Sequence, residues 1–183
     1  MNDNQQKFAD MVQQNKSTIY TVCYMFSKDQ DEVNDLFQEV LIRLWQGFAN
    51  FEGRSDVKTW IYRVALNTCI TLDRKKRRHH KERVYMGDDL FSGNERDSQQ
   101  AEMLHKRIIR LQPLDRAIVL LWLEDISYEE IGAIIGITAK NVSVRLYRIR
   151  EQLKNLSTSN PQLSPSMSFL RVHVLSLLNY HIN

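Results

Sequence analysis

Cysteine is scarce in this chain of 183 residues: only Cys23 and Cys69 occur, each among apolar neighbours. That excludes a disulfide framework and reads as two buried, reduced thiols. No Cys/His spacing suits zinc, so neither a metal nor a cofactor is expected. No run reaches the roughly 18 apolar residues needed to span a bilayer. The opening MNDNQQKFAD also lacks the apolar stretch of a signal peptide, so a cytoplasmic protein is expected. A convergent acid/base set is missing too. His79 and His80 sit in a cationic run that would repel a metal ion, which argues against a metal-dependent nuclease; neither an enzyme nor a small-molecule substrate is expected. Glycine and proline are few, six and three, so each one present acts as punctuation.

What is present is charge in blocks and apolar residues at helical spacing. The formal net charge is only +3, but residues 74–83 (RKKRRHHKER) carry seven Lys or Arg against one Glu, while residues 86–102 carry five acids against one Arg. The clearest local signal is SYEEIGAIIGITAKNVSVRLYRIREQLK, Ser127 to Lys154. Ser127 and Glu130 form a capping box, and Ile131, Ile134 and Ile135 share a face. Gly136 can enter a left-handed conformation and stop the helix. Thr138 can cap a second helix whose inward positions are Val142, Leu146, Ile149 and Leu153. Lys140, Asn141, Val144, Tyr147 and Arg148 point outward, with Arg145 on the flank. The pattern predicts a helix-turn-helix with its second helix shaped for a major groove; an ordinary hairpin with a solvated basic face is the alternative this segment alone leaves open.

Upstream, Phe8, Met11, Val12, Ile19, Val22, Cys23 and Phe26 predict one or two helices. From Asp31 to Ala49, Val33, Leu36, Phe37, Val40, Leu41, Leu44, Trp45 and Phe48 make a wide core-facing stripe. Asp35, Gln38, Glu39, Ile42 and Arg43 make the opposite face. FANFEGRS reads as a loop ending in Ser55, a possible cap for the next helix. That helix buries Trp60, Ile61, Val64, Thr68 and Leu72, and presents Lys58, Tyr62, Arg63, Asn67 and Thr71. Aromatics interleaved with cations beside a loop suit single-stranded nucleic acid, though Trp60 fits a core position better than a stacking platform. Residues 86–100, with two glycines and many acids, read as a linker. Pro113 is placed to start the helix Leu114 to Glu124, preceded by a short helix around 102–110, and Ile118, Val119, Leu121, Trp122 and Leu123 supply a core. Beyond Leu156, STSNPQLSPS is a connector to an apolar FLRVHVLSLLNY.

Together, DLFQEVLIRLW (Asp35 to Trp45), KTWIYRVALN (Lys58 to Asn67) and LEDISYEEIGAIIGITAKNVSVRLYRIREQL (Leu123 to Leu153) resemble the extracytoplasmic-function sigma factors of bacterial RNA polymerase, within the sigma-70 family. The resemblance covers residues 8–156. It implies an all-α protein of two small helical domains joined by a flexible acidic linker, the C-terminal one containing the helix-turn-helix. The expected boundaries are 1–84 (region 2), 85–104 (linker), 105–156 (region 4) and 157–183 (an extension).

By this resemblance the partners are core RNA polymerase and promoter DNA, with a membrane-linked anti-sigma factor common in the family. Asp35, Gln38, Glu39, Ile42 and Arg43 match the polymerase-binding helix. Asn50, Phe51, Arg54, Ser55, Lys58, Tyr62, Arg63 and Asn67 match the part that unstacks the downstream promoter element and holds a flipped base, with Arg74 and Lys75 on phosphates. Thr138, Lys140, Asn141, Ser143, Val144, Arg145 and Arg148 match the positions facing the upstream element. Thr71 stands where the family often has Asp, and Ser143 where many members carry Lys, so the promoter sequence is not inherited. The rival reading is a stand-alone helix-turn-helix regulator that binds duplex DNA as a dimer through the apolar tail.

Overall fold

A computed structural model describes residues 3–27, 29–51, 53, 55–79 and 105–155. The expected linker 85–104, the extension 157–183, Arg54 and His80 lie outside the described residues. Every element described is a helix: α1 (Asp3–Gln14), α2 (Lys16–Tyr24), α3 (Gln30–Phe48), α4 (Val57–His79), α5 (Pro113–Leu123), α6 (Tyr128–Ile135) and α7 (Ala139–Asn155), with a helical turn at 105–108 before α5. Among the described residues no helix is long and apolar enough to cross a membrane.

The first domain is α1 to α4. Asp29 starts α3 by accepting from the backbone N–H groups of Asp31 and Glu32. The stripe on α3 behaves as expected at Val33, Val40 and Leu44, which are buried against Ile61, Ala65, Leu66 and Cys69 of α4. Trp45 departs from it. It remains 45% exposed, because Phe8 of α1 meets it only edge-on, at 5.0 Å and 71°. A second correction falls at the start of α4, where the cap is Asp56, not Ser55. Its carboxylate accepts from the N–H groups of Lys58 and Thr59 at 2.9 and 3.4 Å. Cys23 and Cys69 are free and buried where α2 meets α4. Their mutual hydrogen bond, and then burial, push the Cys69 thiol well above its usual value, which makes it a packing group and a poor nucleophile. Glu32 ties the start of α3 to the loop before it and to the last turn of α4, accepting from Ser27 Oγ at 2.6 Å and from Lys76 Nζ.

In the second domain, Pro113 occupies the first turn of α5, where its missing N–H costs nothing. The chain leaves α5 through Asp125 at φ 59°, a conformation that aspartate tolerates better than most residues. The capping box then forms as predicted. The N–H of Glu130 donates to Ser127 Oγ at 3.2 Å, and the Ser127 N–H donates back to the Glu130 carboxylate at 3.2 Å. Gly136 ends α6 in the left-handed region at φ 79°, and the N–H of Asn141 donates to Thr138 Oγ1 at 3.2 Å to open α7. The turn is so tight that a Cβ on Gly132 would lie 2.5 Å from the Ile137 carbonyl oxygen.

Two stability predictions follow from these contacts. In an isolated helix, Gly→Ala is favourable by about 1 kcal/mol. Gly132→Ala is nevertheless expected to lower the melting temperature and cost about 1–3 kcal/mol, since the Ile137 backbone must move. Equal or higher stability in thermal unfolding would mean that the turn is looser than described. For Glu32, burial works to raise the carboxyl pKa, but the Lys76 and Ser27 hydrogen bonds outweigh it and hold it below the usual value. Such a group stabilises above its unfolded pKa, about 4.3, and loses that contribution as pH falls through its lower folded value. Glu32→Gln should therefore cost about 0.5 kcal/mol at pH 7, a small figure because both side chains are 40–45% exposed. In denaturant titrations the gap should close toward pH 3; a gap independent of pH would remove the ion pair as its cause.

Candidate nucleic-acid and polymerase interfaces

The second helix of the helix-turn-helix separates its two faces cleanly. Val142, Leu146, Ile149 and Leu153 are buried, while Lys140, Asn141, Ser143, Val144 and Arg148 are exposed. Thr138 is exposed, but its hydroxyl is engaged as the helix cap. Arg145 is half-buried, because Nη1 donates to Asp115 Oδ1 of α5 at 2.7 Å. One edge of its guanidinium is thereby committed to the protein, and only the remainder can face a groove. Tyr147 joins this surface at 67% exposure, the largest value for an apolar side chain among the described residues. Its outward position was legible from the helical wheel, but no motif marks it as a contact.

On α3, Asp35, Gln38, Ile42 and Arg43 are exposed. Glu39 is half-buried and accepts from Arg43 Nε at 3.0 Å, so these two restrain one another. Ile42 at 49% and Trp45 at 45% place an apolar strip one turn long on this charged face. The partial exposure of Trp45 thus gives the predicted surface more apolar area than the periodicity assigned to it.

The third set divides. Asn50 is exposed, Phe51 and Ser55 are half-buried, and the Phe51 ring lies 4.7 Å from Trp60, tilted by 31°. Trp60 is therefore half-buried, with its ring against Phe51. Asn67, Arg74 and Lys75 are exposed. Lys58 is exposed with its ammonium 5.7 Å above the Tyr62 ring. Tyr62 corrects the sequence reading: it is 1% exposed, not outward-facing, because the second domain packs on that side of α4. Its hydroxyl donates to Glu124 at 3.1 Å; burial first, and then the Glu124 carboxylate, push the phenol far above its usual pKa. Arg63 keeps an exposed stem, but Nη2 donates to the Ala133 carbonyl at 3.0 Å.

Sequence reasoning missed the groups that join the domains. Arg116, on α5, is 1% exposed and donates to Asp73 of α4 at 2.8 Å, to the Leu111 carbonyl at 3.2 Å and to the Phe26 carbonyl at 3.4 Å. Burial lowers its pKa and Asp73 opposes that shift; a guanidinium stays charged regardless. Asp73 also accepts from Arg77 Nε at 2.6 Å. His105 stacks on Tyr24 at 4.1 Å, and its Nε2 donates to the Tyr24 carbonyl at 2.8 Å. The available signal was an arginine directly preceding the apolar run AIVLLWL, a position that a core tolerates only when the charge is paired. Among the described residues no three His, Cys, Asp or Glu side chains converge as a metal site requires.

Comparison with known proteins identifies the two domains that carry these faces. Residues 11–79 match the family model of Sigma-70 region 2, and residues 101–153 match that of Sigma-70, region 4. The ECF RNA polymerase sigma factor SigW of Bacillus subtilis is 28% identical over 171 residues, covering 82% of this chain and 89% of the relative. The ECF RNA polymerase sigma-E factor of Haemophilus influenzae is 30% identical over 141 residues, covering 69% and 75%. In fold, the chain matches the sigma factor RpoE of Bartonella quintana, solved in complex with the anti-sigma factor NepR. That match has a TM-score of 0.61 at 22% identity and covers 87% of this chain and 99% of the solved one. A similar match, with a TM-score of 0.61 at 20% identity over 86% and 92%, is to CnrH bound to the cytosolic domain of CnrY.

Proposed function

The chain belongs to the extracytoplasmic-function sigma factors of the sigma-70 family, with regions 2 and 4 in order, and on that premise we propose how its surfaces divide the work of transcription initiation. It binds core RNA polymerase, directs it to specific promoters and helps open the DNA. The observation that carries this reading is the pairing, in one chain, of a region 2 domain with an outward-facing recognition helix held by its capping box and left-handed turn. The protein works as a binding and positioning factor in the cytoplasm, where polymerase and promoters are. An anti-sigma factor is a further partner, by analogy with the complexes of RpoE with NepR and of CnrH with CnrY.

The α3 face, with Asp35, Gln38, Glu39, Ile42 and Arg43, docks on the polymerase. Ile42 and Trp45 supply exposed apolar area that a protein partner can desolvate, and the charges around them set orientation. The α7 face enters the major groove of the upstream element. Arg148 can pair bidentately with a guanine and Asn141 with an adenine, Val144 can meet a thymine methyl, and Lys140 sits near phosphates. Thr138, Ser143 and Arg145 complete this face. Asn50, Phe51, Arg54, Ser55, Lys58, Arg63 and Asn67 hold the strand released at the downstream element, where aromatic and cationic contacts offset the cost of unstacking; the buried Tyr62 supports this face from beneath. Arg74 and Lys75 add phosphate contacts without sequence information.

The direct test is transcription by sigma-free core polymerase on a genomic fragment library, with and without this protein. Discrete new start sites that depend on the protein are expected. No start sites, with duplex fragments shifted by the protein alone, would replace this reading with a stand-alone regulator. On a promoter found this way, Arg148→Ala should cost about 1–3 kcal/mol and relax preference at one base pair, measured by competition binding of the holoenzyme. A uniform loss across sequences would make Arg148 a phosphate contact. On the other face, Asp35→Ala combined with Ile42→Ala should weaken polymerase binding at least about tenfold, while stability stays within about 0.5 kcal/mol, because both side chains are exposed. Unchanged polymerase affinity would move the docking surface elsewhere.

A further inference from the structure

Among the described residues of the α7 face, Arg145 alone reaches another helix: its Nη1 donates to Asp115 Oδ1 of α5 at 2.7 Å. Asp115 stands in the first turn of α5, and its side chain is 15% exposed against 41% for Arg145. The carboxylate is thus seated in the protein, and the guanidinium is held at its edge. A guanidinium carries five N–H donors in a rigid fork, and the ion pair engages one end of it. Nε and Nη2 have no acceptor among the described residues. They form a side-on pair of parallel donors, the geometry that meets the two acceptors on a guanine edge. One turn away on the same helix stand Asn141, four residues before, and Arg148, three after, both exposed.

We propose that Asp115 is a positioning residue for base readout: it holds Arg145 back from the DNA phosphates, so that the open Nε and Nη2 edge reads a guanine of the upstream element. The proposal deepens the reading of α7 as the recognition helix and rests on it. A long cationic side chain on the flank of a recognition helix can reach backbone phosphates as well as base edges, and a phosphate carries no sequence information. The Asp115 carboxylate belongs to the same class of acceptor as a phosphate oxygen, anionic and matched to a guanidinium. With that place already filled from within the protein, a move to a phosphate gains little, and the fork keeps one orientation. Asp115 also offsets the like charges of Lys140 and Arg148, which would otherwise push Arg145 outward.

A carboxylate in the first turn of α5 also meets the positive end of that helix, a role that needs no partner on α7. The two roles differ in what they act on. The helix-end role concerns the stability of α5 and is the same whatever stands at residue 145. The ion pair is partly exposed and contributes little to stability; what it sets is where one long side chain points. That is a matter of specificity. A guanidinium fixed in place loses little freedom on meeting the right base, whereas one that swings to a phosphate binds every sequence alike.

The test loads core polymerase with the full-length wild-type chain, Asp115→Asn, Arg145→Ala or the double variant. Each holoenzyme is bound to a promoter duplex from the transcription assay and to the same duplex with its upstream element scrambled, from about 50 to 200 mM KCl. Asp115→Asn, equal in size but uncharged, should lose about fivefold in preference for the promoter. It should also steepen the fall of log affinity with log salt by about 0.9, as one new phosphate contact would. In the Arg145→Ala background Asp115→Asn should change neither quantity. A folded Asp115→Asn with wild-type preference and slope overturns the proposal; so does an equal effect in the Arg145→Ala background, which would belong to the end of α5. Arg145→Lys keeps the charge but not the fork, and should lose as much preference as Arg145→Ala does. Full preference in Arg145→Lys overturns the proposal even where Asp115→Asn does not fold. Protein-dependent start sites alongside any of these failures would sink the positioning role alone, whereas the absence of start sites would sink the sigma-factor reading itself.

Discussion

A guanidinium that is 1% exposed must have its charge answered, and at Arg116 the answer comes from the other domain. Asp73 accepts from Arg116 with one oxygen and from Arg77 with the other, and Arg77 reaches the same Leu111 carbonyl that Arg116 uses. Removing Asp73 would leave the buried Arg116 guanidinium without its counter-charge, which is far costlier than the net worth of the pair. The relative placement of α4 and α5 depends on this cluster.

The helix-turn-helix obeys a different constraint. Its geometry is set within a dozen residues, by the capping box, the left-handed Gly136 and the near contact of Gly132 with the following turn. Each of these is local, so the recognition helix is presented in the same way whether or not the domains are together. Readout of bases needs side chains held to within a fraction of an ångström, and these local contacts supply that rigidity.

The α3 face is only partly covered by its neighbours. The apolar stripe of α3 is wider than its neighbours can cover, and the uncovered edge, Trp45 beside Ile42, lies next to Asp35, Gln38 and Arg43. An apolar strip ringed by charge is poor design for a surface facing only water and good design for one that meets a protein. The Arg43–Glu39 pair narrows the rotamers of both residues before any partner arrives.

Much of this was legible in the sequence, and the division follows range. Helical periods, the Ser127–Glu130 box, the stop at Gly136, the first turn at Pro113 and the outward set on α7 are all encoded by residues a few positions apart, where backbone sterics and hydrogen-bonding chemistry leave few options. The family motifs are arranged in the same local windows. Smaller misreadings came where two neighbours compete for one job: Asp56 outbids Ser55 as a cap because its carboxylate is the stronger acceptor for helix N–H groups. What only the tertiary structure decided is the fate of side chains that meet across the domains. Tyr62, outward by its period, is buried beneath Glu124, 62 residues later in the chain. Arg116 finds acceptors 43 and 90 residues earlier in the chain. Periodicity fixes which way a side chain points from its own helix; whether water or another domain waits there is a property of the assembled fold.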